Sequence, residues 1–97
     1  MLEKGTVKTV RDWAKEHDFL VIKFFGSPFA QMGVGDLILC YKGRFICMEL
    51  KRPGKVPTDR QKLWLKKVKD HGGLASWFDD STSAINWLIS IIDQESY

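Results

Sequence analysis

The 97-residue chain has the length of one compact domain, with no room for a separate cofactor-binding domain. Its 44% hydrophobic and 28% charged residues and net charge of +3 describe a mildly basic soluble protein, and exclude disordered, collagen-like and disulfide-dense classes. No stretch reaches the roughly 18 uncharged apolar residues of a membrane span, and Met1-Leu2-Glu3-Lys4-Gly5 lacks a signal peptide's apolar run, so a cytoplasmic location is expected.

From about Glu3 to His17, Val7, Val10, Ala14 and His17 recur at helical spacing beside Trp13, with charges on the other side, which predicts an amphipathic first helix. Asp18 breaks it. Phe19 to Phe25 is rich in aromatic and β-branched residues and ends at Gly26-Ser27-Pro28, so it reads as a strand. Asp36 to Tyr41 and Arg44 to Lys51 are two more apolar runs joined by Lys42-Gly43, the length of a two-residue hairpin loop. After Arg52-Pro53-Gly54 the pattern turns helical, with Thr58 as N-cap and Gln61 at the capping-box spacing, and it stops at His71-Gly72-Gly73. Leu74 to Phe78 reads as a fourth strand and Ser81 to Ile92 as a last helix. The expected order is αβββαβα, an α/β fold with a mixed sheet flanked by helices.

The hairpin carries the chemistry. With Lys42 and Gly43 in the loop, Tyr41 pairs with Arg44 and Asp36 falls opposite Glu49; a bulge at Lys42, a poor residue for a type I′ turn, would shift this by one. Side-chain alternation puts Lys51 on the face of Glu49 together with Ile38, Cys40, Phe45 and Cys47, and puts Leu37, Leu39, Ile46, Met48 and Leu50 on the other. Both faces are apolar, so both are expected to be covered. Two carboxylates about 5 Å apart repel. A shared proton, Lys51 as counter-ion, or a divalent cation could compensate, and oxygen donors without histidine or thiolate favour Mg²⁺ or Mn²⁺ over zinc. Cys40 and Cys47 have neither disulfide nor metal spacing and read as core residues.

Charge adds a second signal. From Lys51 to His71 eight basic residues stand against Asp59 and Asp70, a local +6 that leaves −3 for the rest of the chain. Such a segment attracts polyanions, and a cation-binding carboxylate pair beside a lysine suits phosphodiester cleavage.

Asp36, then Glu49-Leu50-Lys51 at a strand end, then Gln61 in the next helix resemble the PD-(D/E)xK nuclease signature. Gly35-Asp36-Leu37-Ile38-Leu39, the Gly43-to-Lys51 strand and Gln61-Lys62-Leu63-Trp64-Leu65 resemble its VRR-NUC branch, found in phage and viral replication-repair nucleases. The resemblance spans about Glu3 to Phe78. It implies a restriction-endonuclease-like αβββαβ core with an added C-terminal helix, and a metal-dependent endonuclease for branched DNA such as four-way junctions. It also implies that Asp36 and Glu49 bind Mg²⁺ or Mn²⁺, with the Leu50 carbonyl and Glu3 as further ligands. Lys51 would be the catalytic lysine and Gln61 the helix glutamine beside the site. Gly35 stands where the family usually has proline.

Lys55, Arg60 and Lys62 are the expected backbone-binding cations, and Ser27 and Gln31 the expected DNA contacts in the loop before the site. Gln61 could instead serve only the helix cap, and Glu3 only the helix dipole. Trp64, Trp77 and Phe78 read as core or interface rather than base-stacking platforms. The last helix is apolar nearly all round, which with the family's habit predicts a homodimer built on it. A DNA-binding module that keeps the fold without turnover is the competing reading.

Overall fold

The computed structural model describes residues 3–23 and 37–94. Over these, the chain folds into helix α1 (Glu3–Glu16), strands β1 (Leu20–Lys23), β2 (Leu37–Tyr41) and β3 (Arg44–Leu50), helix α2 (Asp59–Asp70), strand β4 (Leu74–Phe78) and helix α3 (Ser81–Gln94). The strands form one sheet in the order β1-β2-β3-β4. The first two pairings are antiparallel, while β3 and β4, joined through α2, run parallel. The αβββαβ order with an added helix is the one expected from the sequence. Phe24, Phe25 and Asp36, the remaining ends of the expected strands, lie outside the described residues.

The hairpin turns on Lys42 and Gly43, both with positive φ, 49° and 84°. That is the backbone hand of a type I′ turn, so the ladder pairs Tyr41 with Arg44 and continues to Leu37 with Met48 without a bulge. The irregularity falls instead between Val21 and Lys23, where β1 slips against β2.

Alternation along β3 then divides the core in two. Leu37, Leu39, Tyr41, Ile46, Met48 and Leu50 face Val7, Val10 and Ala14 of α1 and Ala84, Leu88 and Ile91 of α3. Ile38 and Cys47 face Leu65 and Val68 of α2 with Ala75 of β4. The sheet is therefore covered on both sides, by α1 and α3 on one and by α2 on the other.

The last helix is buried within the chain along one side: beyond its three buried residues, Ile85, Trp87 and Ile92 pack partly buried against the same core. Among the described residues, the large apolar side chain that α3 leaves exposed is Ile89.

Both helix ends beside the sheet are made by local backbone bonds. At the end of α1, Asp18 takes the left-handed conformation (φ 68°) and the Phe19 N–H reaches the Ala14 carbonyl at 3.0 Å. At the end of α2, Gly72 takes that place (φ 89°), the Gly73 N–H donates to Val68 at 2.9 Å and the Gly72 N–H to Lys69 at 3.0 Å. These are Schellman closures, which satisfy the last carbonyls and turn the chain back to the sheet.

Candidate functional site

The carboxyl end of β3 lies between the start of α2 and the end of β4. The Lys51 N–H donates to the Phe78 carbonyl at 2.8 Å, so the parallel ladder runs one residue past Leu50 and fixes where the Lys51 side chain begins. Period-two alternation puts Glu49 and Lys51 on the α2 side while Leu50 enters the opposite core, where it is fully buried.

Glu49 is 1% exposed, among the few buried polar residues described. An ionised carboxylate at that depth must be compensated. Gln61 Nε2 donates to Glu49 Oε1 at 3.0 Å, and Lys51 Nζ stands 4.0 Å from the same oxygen. Glu49 Oε2 is also buried, and among the described residues no hydrogen bond reaches it.

Gln61 links these groups because of the helix cap. Thr58 Oγ1 accepts from the Gln61 N–H at 3.2 Å, and the Thr58 N–H donates to Gln61 Oε1 at 2.8 Å, a complete capping box. A backbone N–H can only donate, so this bond identifies the amide oxygen and leaves Nε2 to face Glu49. The same Oε1 accepts from Lys51 Nζ at 3.2 Å. One glutamine thus closes the helix start, as its capping-box spacing predicts, and also accepts from the lysine and donates to the carboxylate.

The structure brings together Glu49, Lys51 and Gln61 from β3, the residue after it, and α2. Lys55, Arg60 and Lys62 are exposed nearby in sequence, on the connection to α2 and its first turn. Asp36, Ser27 and Gln31 lie outside the described residues. Glu3 begins α1 by its backbone, and its side chain lies outside them as well. Among the described residues no group of three or more His, Cys, Asp or Glu gathers as a metal site. Glu49 is a hard oxygen donor suited to Mg²⁺ or Mn²⁺, and the sulfur of Cys47 on its face is engaged by Trp64 Nε1 at 3.0 Å.

Two positioning groups escaped the sequence reading. Thr58 was expected as a cap but not as the residue that orients the site amide. Asp79 accepts from the Gly54 N–H at 3.2 Å and ties the connection after Lys51 to the end of β4; nothing in the sequence signals it.

No family model matches the chain, and no curated protein matches it either. Among solved structures, one titled "VRR_NUC domain" aligns over 88% of this chain and 95% of its own, with a TM-score of 0.62 and 20% identity. The chain has the VRR_NUC fold. This is the fold the hairpin and helix motifs resemble, reached here through an alignment of coordinates at low identity. Within the VRR_NUC fold, Glu49 and Lys51 sit at the carboxyl end of a strand in a parallel pair, the edge at which α/β sheets commonly place their sites.

Proposed function

We propose that the protein is a divalent-metal-dependent endonuclease of the VRR-NUC type, acting on branched DNA such as four-way junctions. The observation that carries this reading is the buried Glu49 carboxylate with Gln61 Nε2 at 3.0 Å and Lys51 Nζ at 4.0 Å, at a strand end on a VRR_NUC fold. A core carboxylate is costly, and a strand end this apolar has no need of one for folding.

In this reading Asp36 and Glu49 hold Mg²⁺ or Mn²⁺, with the Leu50 carbonyl and Glu3 as further ligands. When bound, such a cation neutralises charge developing on the phosphoryl oxygens. The chain's own residues do the rest. Lys51, 15% exposed at the rim, presents its ammonium to a phosphate and stabilises the charge that builds there. Gln61 holds that ammonium and the Glu49 carboxylate at fixed separation, so little reorganisation is needed as charge moves. Lys55, Arg60 and Lys62 bind the DNA backbone around the site, and Ser27 and Gln31 contact it from the preceding loop.

The active unit of this proposal is a homodimer. It is built on α3, whose Ile89 is exposed and whose Ile85 and Ile92, on the same stripe, are only partly buried. Ile89→Glu is then expected to lower the solution mass to that of one chain. A cytoplasmic, phage-encoded setting is consistent with the resemblance, and no described helix is long and apolar enough to cross a membrane.

The test is incubation of the protein with four-way, forked and linear DNA in Mg²⁺, Mn²⁺ or EDTA. Metal-dependent strand cleavage, faster on branched DNA, is expected. DNA binding without cleavage under any of these conditions refutes the enzyme and leaves a binding module.

A further inference from the structure

The geometry points to a nucleobase pocket at the far end of α2, in which an unpaired base of a DNA strand stacks while the phosphates beside it meet the helix's cations. The inference rests on the proposed DNA substrate for the identity of the polyanion, and adds a second binding site to it.

A groove of about 370 Å³ opens between α2 and the start of β3, lined by Phe45, Trp64, Lys67, Val68, His71 and Gly73. That volume is in the range of small-ligand sites, about 300–1,000 Å³. Its two aromatic rings come from different elements, Phe45 from β3 and Trp64 from α2, the latter packed in part against the core, as the sequence predicts, and in part lining the groove. Trp64 is held by its Nε1 bond to Cys47, so the indole is fixed and its N–H already used. His71 is fixed too, since its Nδ1 lies 2.7 Å from the Lys67 carbonyl. Gly73 packs closely against the lining and helps hold it in place: a Cβ there would stand 2.7 Å from Val68 Cγ1 and 3.2 Å from the Phe45 carbonyl.

The groove also has a direction. Positions 60, 64, 67 and 71 fall on one stripe of the helix, so Arg60, Trp64, Lys67 and His71 alternate cation and aromatic from the site end toward the groove. From Gln61 to Val68 the helix advances about 10 Å. A strand whose phosphate lies at Lys51 can therefore run its next nucleotides along this stripe. Bases stacked on aromatics in a basic channel are the general means of binding single strands. Duplex DNA offers no free base face, so the occupant is unpaired. A second copy is disfavoured here, because two-fold pairing would set Lys67 and its neighbouring cations against themselves.

The experiment measures anisotropy of a dye-labelled thymidine dodecamer and of an abasic dodecamer of equal charge, at fixed salt in EDTA. The protein is expected to bind the thymidine strand about 10-fold more tightly than the abasic one. Phe45→Ala, at a residue already 40% exposed, is expected to remove that preference without changing the affinity for the abasic strand. Lys67→Gln is expected to weaken both strands alike. Equal binding of the two strands by the unmodified protein overturns the pocket, without any reliance on a variant's folding. So does a preference that survives Phe45→Ala, or a fall in solution mass on that substitution, which would make the groove a contact between copies. Because nothing is cleaved in EDTA, the two readings fail separately: a protein that cuts DNA but ignores the bases loses the pocket, and one that prefers bases but never cuts loses the nuclease.

Discussion

Gln61 carries more of the site than its single amide suggests. Its oxygen is fixed by the Thr58 N–H, and its nitrogen is therefore committed to Glu49. A substitution separates the two duties. Gln61→Glu keeps the capping box, which accepts either residue, but sets a carboxylate against the buried Glu49 in place of a donor. It is expected to destabilise the fold by about 1–3 kcal/mol in chemical unfolding. A residue that only capped the helix would leave stability unchanged. The capping role was legible from the Thr58–Gln61 spacing. The contact with Glu49 depends on α2 crossing that face of the sheet, which local spacing does not encode. Trp64 shows the same limit: an apolar helix position gives no sign that its ring nitrogen will meet Cys47.

At the scale of elements, the hairpin was readable because a two-residue loop fixes the register of everything beyond it. Lys42 was the weak point of that reading, and it accepts φ 49° with its ammonium 5.6 Å from the Tyr41 ring centre. Asparagine tolerates that backbone better, so Lys42→Asn is expected to raise the unfolding free energy by up to about 1 kcal/mol, seen as a higher denaturant midpoint, with the register unchanged. The opposite result is expected at Gly73, where Gly73→Ala drives a methyl into Val68 and should cost about 1–3 kcal/mol. The slip between β1 and β2 was not legible, since bulges follow from how an edge strand twists over its helix rather than from residue alternation. An all-round apolar helix reports how much surface must be buried but not against what, and α1 and the sheet bury Ala84, Leu88 and Ile91 while Ile89 stays exposed.

At the scale of the molecule, the modest +3 separates into a +6 segment beginning at Lys51 and a body of −3. The proposed DNA binding is therefore expected to weaken steeply with salt. Replacing Lys55 and Lys62 together by glutamine is expected to reduce the slope of log affinity against log salt by about 2, while leaving thermal stability unchanged because both side chains are exposed. The fold places the start of that segment at the carboxyl end of β3, so the groups proposed for bond cleavage and those proposed for backbone binding share one edge. Glu49 is the group on which this account depends most. With the protein verified as folded, cleavage of a four-way junction should be compared between the unmodified chain and Glu49→Gln across a Mg²⁺ titration. Activity should rise with Mg²⁺ in the former and be at least about 100-fold lower in the latter. Undiminished cleavage by Glu49→Gln, or cleavage that persists in EDTA, would refute a metal-dependent site at Glu49.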